Sequence, residues 1–370
     1  MRVLQIIICQ NLNENTNSVT GPEKRMKNML PYWKNLNIDV VVAYPEHGRY
    51  ISYFRSITEV FTYSIRPFYD IRNAVDVYKV ITQARCDVVH VQGSAILDMW
   101  ATIISKILKK KIVITRPVVL EDQIHYSTLR RWVYSWLDRK ITLRYVDSVI
   151  AVSKDGFSRL KDSVGKRTEL RLIYNGVDAN KIKSKTSYVI SADSVRLCMV
   201  AGLYVQKGWF DFLKVVRNLT DLGYNVTADI IGDGEIKHQL KLKAEEFGIT
   251  DKVNFLGYRS DISTMLCDYD IYLFTSHREG LSVSIIEAMA AGLPIVATNV
   301  GGTREQLESK SGLIAESRDI VKLTSLVKEL LDDPNLRREL GQNALKRALF
   351  WFSESKMVKE HASVFRSVQR

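Results

Sequence analysis

The chain has 370 residues, 46% of them hydrophobic, which favours two domains over one. No stretch approaches the roughly 20 consecutive apolar residues of a membrane-spanning helix, so we expect a soluble or peripheral protein. The apolar start, residues 1–9, lacks the small-residue cleavage site of a secretory signal and is better interpreted as a buried strand. No Cys-x-x-Cys pair occurs, which predicts buried thiols in a reducing cytosol for Cys9, Cys86, Cys198 and Cys267.

The net charge of +12 is concentrated in the first half of the chain. Residues 1–175 hold 27 Lys and Arg against 16 Asp and Glu, whereas residues 176–370 hold 26 against 25. This asymmetry favours an anionic partner, either a membrane surface or a phosphate-bearing acceptor; an ordinary solvated surface is the alternative. Nucleic acid is disfavoured because no helix-turn-helix, zinc spacing or aromatic-interleaved basic module occurs.

Short β-branched runs alternate with amphipathic segments along the whole chain, which predicts parallel sheets covered by helices. The first series of predicted strands comprises residues 3–9, 39–43, 87–91, 111–115 and 148–152. The second series comprises residues 196–201, 225–231, 252–256, 271–275 and 294–298. Between the two series, residues 180–193 are polar and predict an exposed linker. We therefore predict an α/β protein of two Rossmann-like, doubly wound domains. Their expected bounds are 1–176 and 177–350, with a C-terminal helix, 351–370, that packs back on the first domain.

A glycine and serine-containing turn follows the predicted strand 271–275. Gly280 permits a tight turn, Ser282 is a natural N-cap, and strong helix formers follow, so a helix begins here. The free amides of a helix start bind anions such as a diphosphate. Glu279 precedes this helix and Glu287 lies roughly 7 Å along it, at about 1.5 Å per residue. One carboxylate can then reach a sugar on one side of the diphosphate, and the other carboxylate can reach a ribose.

Two glutamates with seven residues between them, followed by Ala-Met-Ala-x-Gly-x-Pro, resemble the signature of retaining glycosyltransferase family 4. That family has the GT-B fold, two Rossmann-like domains facing across a cleft. Further segments resemble family motifs in the family's order: Asn175-Gly176-Val177-Asp178, Lys207-Gly208, Ile231-Gly232-Asp233-Gly234, Phe255-Leu256-Gly257, and Val300-Gly301-Gly302 with Glu305. The resemblance implies an enzyme that moves a sugar from a nucleotide diphosphate sugar, with a UDP-sugar favoured, to an acceptor hydroxyl.

The resemblance also implies roles for single residues of the second half. Glu279 is expected to hold donor-sugar hydroxyls and Glu287 the ribose. Lys207 is expected to neutralise charge on the departing diphosphate; a solvated lysine is the alternative. The phosphates are expected on the amides of Gly280, Leu281, Ser282 and Val283.

One segment departs from the family pattern. Where an arginine often precedes the Lys-Gly pair, this chain has the turn glycine Gly202, which we still place in the donor site. The diphosphate then has one cation fewer or takes one from elsewhere, and Arg278 is a candidate. Tyr258 is expected to pack near the nucleobase, with an ordinary exposed tyrosine as the alternative.

The residues expected to bind the acceptor lie in the first half of the chain. His90 and Gln92 occupy the strand end where the family often has His-x-His, and alternation places both on one face, so either can reach the reacting sugar. His90 is a candidate catalytic residue, and a satisfied structural histidine is the alternative. Gly21 resembles the glycine-rich turn near the donor. Arg116, at a strand end, is expected to grip an acceptor phosphate.

Residues 130–144 mix Trp132, Tyr134 and Trp136 with basic residues, and three lysines at 109–111 add charge. This pattern predicts an aromatic, basic face for peripheral contact with an anionic membrane. The alternative is that the aromatics belong to the core and the charges are solvated.

We predict no essential metal or other cofactor. Asp268 and Asp270 have the Asp-x-Asp form of metal-dependent transferases, but they lie at the amino end of a strand, away from the expected site. No zinc spacing or dinucleotide fingerprint occurs.

The expected function is transfer to a lipid-linked glycan in bacterial surface polysaccharide (O-antigen, lipopolysaccharide, capsule or exopolysaccharide) biosynthesis, in the cytoplasm and peripherally on the inner face of the membrane. The alternatives are a GT-B nucleotide-sugar epimerase and a non-catalytic sugar-nucleotide or membrane-binding scaffold.

Overall fold

The computed structural model describes residues 1–7, 21–64, 66, 70–93, 96–117, 128–190 and 195–370. These residues form two compact units. The first contains the described residues up to Asn175 together with Glu354–Arg370, and the second is Gly176–Ser353. Each unit is built around its own sheet.

The sheet of the first unit has seven strands among the described residues, all parallel, in the order β3-β2-β1-β4-β5-β6-β7. The strands are β1 (Arg2–Ile7), β2 (Asp39–Pro45), β3 (Val60–Tyr63), β4 (Val88–Gln92), β5 (Lys111–Arg116), β6 (Ser148–Ala151) and β7 (Glu169–Leu172). The helices are α1 (Gly21–Met29), α2 (Ile51–Arg55), α3 (Arg72–Ala84), α4 (Ile96–Ile107), α5 (Thr128–Leu137), α6 (Leu143–Tyr145) and α7 (Lys154–Lys161). A π-helical turn, Asp138–Thr142, joins α5 to α6.

Alternate residues of these strands enter two separate apolar clusters. Val3 and Ile7 belong to one cluster, whereas Leu4 and Ile6 belong to the other. Successive side chains of a strand point to opposite faces, so the two clusters are the two faces of one sheet covered by helices. The predicted continuous apolar runs thus arise because the central strands are buried on both sides.

The described residues of the second unit form a parallel sheet of six strands in the order β10-β9-β8-β11-β12-β13. The strands are β8 (Val195–Val200), β9 (Val226–Ile231), β10 (Val253–Gly257), β11 (Ile271–Phe274), β12 (Ile295–Thr298) and β13 (Leu313–Ala315). The helices are α8 (Trp209–Asp221), α9 (Lys237–Glu246), α10 (Ile262–Met265), α11 (Val283–Ala290), α12 (Thr303–Gln306), α13 (Ile320–Asp332) and α14 (Pro334–Trp351). The strand order reverses between β8 and β11, and loops after strands at such a point commonly bind ligands.

Residues 334–369 form two helices, since α14 ends at Trp351 and α15 covers Glu354–Gln369. Helix α15 belongs to the first unit. Its Met357 and Phe365 pack into the same apolar cluster as Trp33, with the Trp33 and Phe365 ring centroids 5.6 Å apart. The last helix therefore completes the core of the first unit.

Cys86, Cys198 and Cys267 are buried free thiols, as expected, and Cys9 lies outside the described residues. The described part of 180–193 is mostly exposed, but Tyr188 is buried and its hydroxyl donates to the carbonyl of Gly292 at 2.9 Å. This segment therefore packs on the second unit and is not a free linker there. Across the described ranges, no helix combines the length and apolarity needed to cross a membrane.

Candidate functional site

Four loops meet at the carboxyl ends of the strands in the second unit. The amide of Leu203, after β8, donates to the carbonyl of Asp233, after β9, at 3.0 Å. The amide of His277, after β11, donates to Gln206 at 2.9 Å. The amide of Gly302, after β12, donates to the carbonyl of Gly280 at 2.7 Å. Backbone hydrogen bonds thus hold the predicted donor-site loops together.

Two glycines are required where these loops approach most closely. Gly208 has a φ of +69°, and a Cβ there would lie 1.8 Å from the carbonyl oxygen of Thr275. Gly301 has a φ of +50°, and a Cβ there would lie 2.0 Å from the carbonyl oxygen of Glu279. Any side chain at Gly301 would therefore displace the backbone of Glu279.

The structure brings Lys207 and Glu279 together, although 72 positions separate them. Lys207 ends a short 3-10 helix, Val205–Lys207, and its Nζ lies 2.5 Å from Oε1 of Glu279. Both side chains keep some exposure. A partly exposed pair of this kind can exchange its partners for those of a ligand, with the ammonium binding an anion and the carboxylate accepting from hydroxyls.

A hydrogen-bonded pair, His277 and Asp211, was not predicted from the sequence and lies in the same group of loops. Nε2 of His277 is 2.7 Å from Oδ2 of Asp211, a residue in the first turn of α8. Burial would raise the pKa of Asp211, but the hydrogen bond from His277 and the nearby Lys214 hold the pKa below its usual value. The sequence signal that could have revealed this pair is that Asp211 lies close to Lys207 along the chain and His277 lies close to Glu279. The pair holds the loop after β11 against the start of α8.

The start of α11 has the predicted capped geometry. The hydroxyl of Ser282 accepts from the amide of Ile285 at 3.4 Å, and its carbonyl accepts from the amide of Ile286 at 3.3 Å. The side chain of Gln306 braces the cap, donating from Nε2 to the Ser282 carbonyl at 2.8 Å. The amides of Val283 and Ser284 have no partner among the residues that the structure describes. Two open donors at a helix start suit an anion.

The remaining predicted donor-side residues surround these loops. Glu287 is largely buried on α11, and its charge contributes to the raised pKa of buried Tyr272, where burial is the main cause. Gly202 accepts at its carbonyl from Nε1 of Trp209 at 3.0 Å. Tyr258 directly follows β10 and is half-buried, as is Arg278. The individual roles of these residues stay predictions.

In the first unit, His90 and Gln92 form part of a buried polar network. Nδ1 of His90 donates to Oε1 of Gln5 at 2.6 Å, and Nε2 lies 2.8 Å from the hydroxyl of Thr115. Nε2 of Gln92 donates to the same oxygen of Gln5 at 2.9 Å. Burial, with the charges of His361 and Arg25, lowers the pKa of His90. A neutral histidine with both ring nitrogens engaged fits the structural alternative better than a proton acceptor.

Arg116 lies in a buried ion cluster. Its Nη1 is 2.5 Å from Oδ2 of Asp98, and its Nη2 pairs with Asp138 of the π-helical turn. Both ends of the guanidinium are directed to protein carboxylates. Arg116 could therefore bind an acceptor phosphate only if both of these ion pairs were broken. Gly21 begins α1, is exposed, and has open space where a Cβ would be.

The predicted aromatic, basic face is exposed in part. Trp132 is 67% exposed and Trp136 is 49% exposed, and their spacing of four places them on one side of α5. Arg139 and Lys140 follow and are also exposed. Tyr134 is buried, so the alternative of a core aromatic holds for that residue.

The Asp-x-Asp segment lies at the amino edge of the sheet. Oδ2 of Asp270 accepts from the amide of Arg196 at the start of β8, at 2.9 Å, and Asp268 ends the preceding 3-10 helix. These carboxylates are on the opposite edge from Glu279. Across the part of the chain that is described, no group of three His, Cys, Asp or Glu side chains is placed to hold a metal ion.

Two family models match adjoining parts of the chain. "Glycosyltransferase Family 4" matches residues 19–181, and "Glycosyl transferases group 1" matches residues 180–347. Among curated proteins, the putative glycosyltransferase EpsD of Bacillus subtilis (strain 168) is 26% identical over 250 residues, 66% of this chain and 65% of EpsD, slightly under two thirds of its length.

A second relative is the UDP-Gal:alpha-D-GlcNAc-diphosphoundecaprenol alpha-1,3-galactosyltransferase of Escherichia coli. It is 24% identical over 314 residues, 75% of this chain and 77% of the relative. Among solved structures, Anabaena HepE in complex with UDP and glucose matches with a TM-score of 0.82 and 22% identity, over 99% of this chain and 100% of that chain. The predicted fold class, two Rossmann-like domains of the GT-B type, is confirmed.

Proposed function

Because the chain belongs to the glycosyltransferases of group 1 and family 4, we propose that it transfers a sugar from a UDP-sugar to a hydroxyl of a lipid-linked glycan, with retention of configuration at the anomeric carbon. The observation that carries the proposal is the convergence of Lys207, Glu279 and the open amides of α11 at one edge of one sheet. A cation, an acceptor of hydroxyl protons and a helix start are the groups that a sugar diphosphate needs.

In the proposed reaction, the anomeric carbon loses its bond to the diphosphate oxygen and gains a bond to the acceptor oxygen. UDP departs with the electrons of the broken bond, and the acceptor hydroxyl passes its proton to the departing diphosphate oxygen. Negative charge therefore develops on the diphosphate, where the Val283 and Ser284 amides and Lys207 stabilise it. Glu279, released from Lys207, accepts hydrogen bonds from the sugar and orients it.

UDP is favoured as the nucleotide by two relatives. HepE was crystallised with UDP and glucose, and the E. coli relative is named for UDP-Gal. We propose that the reaction needs no metal, since Lys207 and the helix amides offer the positive groups that a metal would otherwise supply. We place the enzyme in the cytoplasm, and the three free thiols are compatible with that reducing compartment.

A lipid-linked acceptor in surface polysaccharide synthesis is supported by the name of the E. coli relative, whose acceptor is a diphosphoundecaprenol glycan. The first half of the chain carries almost all of the excess positive charge, and Trp132 and Trp136 are exposed beside basic residues. Indole rings and cations together suit the interface of an anionic bilayer. We propose that this face makes peripheral contact with the cytoplasmic leaflet.

The direct test is turnover of a panel of UDP-sugars with a short-chain lipid diphosphate N-acetylglucosamine acceptor, in EDTA. We expect one UDP-sugar to give a disaccharide product whose anomeric configuration, read by NMR coupling constants, matches the donor. Isomerised donor without acceptor would favour the epimerase alternative. Binding without any turnover would favour the scaffold, and a product of inverted configuration would contradict retention.

The membrane contact is tested by co-sedimentation with vesicles of phosphatidylglycerol and phosphatidylcholine. The double variant Trp132→Ser with Trp136→Ser should lower the bound fraction several-fold, since each exposed indole contributes apolar area at the interface. Phe350 and Trp351 are exposed aromatics on α14 of the second unit, so Phe350→Ser with Trp351→Ser is the matched control. Equal loss in both double variants would contradict a specific face.

A further inference from the structure

Arg25 of α1 is a buried cation at the carboxyl edge of the first sheet. Its Nε donates to Oε1 of Gln92, the last residue of β4, at 2.9 Å. Its Nη1 donates to Oδ1 of Asn175 at 3.1 Å. Both partners are neutral amides, and neither sequence motif nor family resemblance pointed to this arginine.

The third nitrogen of the guanidinium is unused. Nη2 of Arg25 is buried and has no hydrogen-bond partner among the described residues. The side chain also forms no ion pair with a carboxylate in that part of the chain, in contrast to Arg116, which has two. Burial without such a partner lowers the pKa of Arg25 to about 10, so the group is still charged near neutral pH.

A buried charge without a counterion is unfavourable, and buried polar groups are normally paired. The network around Arg25 does not neutralise it, because His90 and His361 both have lowered pKa values from burial and are neutral. The network instead holds the guanidinium in place, because Gln92 is itself fixed by a hydrogen bond from its Nε2 to Oε1 of Gln5 at 2.9 Å. A fixed cation with one open donor is the arrangement expected of an anion site.

We propose that Arg25 binds an anionic phosphate oxygen of a substrate through Nη2, with Gln92 and Asn175 as positioning residues. Carboxyl edges of parallel sheets are where such ligands bind. The inference rests on the proposed function, because the acceptor proposed above supplies the phosphate in its lipid diphosphate. It also gives Gln92 a function other than direct contact with the sugar.

The experiment compares the wild type with Arg25→Met, using UDP and farnesyl diphosphate as separate probes in calorimetric titrations. Arg25→Met removes the charge and keeps a chain of similar volume. We expect farnesyl diphosphate to bind about 10- to 100-fold more weakly, the loss of one charged hydrogen bond, while the melting temperature of the free protein changes little. The affinity for UDP should stay unchanged, and a loss confined to UDP would overturn the assignment to the acceptor phosphate.

Arg337→Met is the matched control, because Arg337 is also buried but donates to the carbonyls of Tyr188, Leu330 and Leu331. It should lower the melting temperature and leave both affinities unchanged. If Arg25→Met does not fold, Arg25→Lys keeps the charge but loses the planar fork and should still weaken the binding of farnesyl diphosphate. Wild-type affinity for both probes in an Arg25 variant would overturn this inference alone. A wild type that binds neither probe would overturn the proposed function together with it.

Discussion

The carboxyl edges of the two sheets use their polar side chains differently. In the second unit, Lys207 and Glu279 keep some exposure and are paired mainly with each other. In the first unit, His90 and Arg116 are buried and engaged with other protein groups. The comparison teaches that a polar residue at a strand end is a candidate for ligand contact only if its partners can be exchanged.

The largest effect is expected at Glu279. Glu279→Ala should lower kcat/KM by about 10³-fold, because the donor sugar loses an orienting carboxylate and Lys207 loses its partner. The melting temperature should change little, since the pair is partly exposed. Glu316→Ala, at an exposed glutamate of the same unit, is the control. Near-normal turnover of Glu279→Ala would show that Glu279 is not part of the donor site.

At Arg116 we expect a loss of stability instead of activity. Arg116→Met leaves the buried carboxylates of Asp98 and Asp138 without their cation and should cost about 3–5 kcal/mol of the free energy of unfolding, measured in urea. Arg304→Met removes only a long, exposed contact with Glu316 and should cost about 0–1 kcal/mol. A stable Arg116→Met with a raised acceptor KM would restore the acceptor role predicted from the sequence.

A smaller effect is expected at Gly301. Gly301→Ala should cost about 1–3 kcal/mol through its left-handed backbone and should also raise the KM for the UDP-sugar, because the new Cβ displaces Glu279. Gly223→Ala shares the positive φ, +86°, but has open space around the Cβ position. It should lower stability and leave KM unchanged. Equal KM values for both variants would show that Glu279 tolerates the shift.

A dependence of stability on acid is expected from a buried histidine. Burial lowers the pKa of His361 to about 3, so below pH of about 6.5 the unfolded chain binds a proton that the folded chain does not. The free energy of unfolding should then fall as the pH drops below about 6.5, by on the order of 1 kcal/mol for each pH unit from this residue alone. His361→Leu should remove that contribution between pH 7 and 5 in urea titrations. An unchanged slope would show that His361 titrates normally in the fold.

The sequence predicted the central strands closely and missed strands at the sheet edges. Residues 111–115 were expected where β5 covers Lys111–Arg116, and this strand is buried on both faces. The missed strands are β3, β7 and β13, which all lie at a sheet edge and have three or four residues. Most of their residues are only partly buried, so they carry no continuous apolar run for a pattern to detect.

Prediction of the candidate site from the sequence was limited in a similar way. Glu279, Ser282 and the start of α11 could be predicted because a turn, a cap and a helix are coded within a few adjacent residues. The Lys207–Glu279 contact, and the lack of a partner for Nη2 of Arg25 among the described residues, depend on groups from distant parts of the chain. Motif position placed His90 and Arg116 at strand ends, but it contained no information about which buried groups would meet them.

Hydrogen exchange measured by mass spectrometry, with and without UDP and in EDTA, tests the central claim most directly. The claim is that the start of α11 and the loops beside it hold the diphosphate. UDP should slow exchange in peptides covering residues 202–208 and 276–287, because bound phosphate occupies the Val283 and Ser284 amides and orders the loops around them. UDP binding that leaves exchange in 276–287 unchanged would contradict the account.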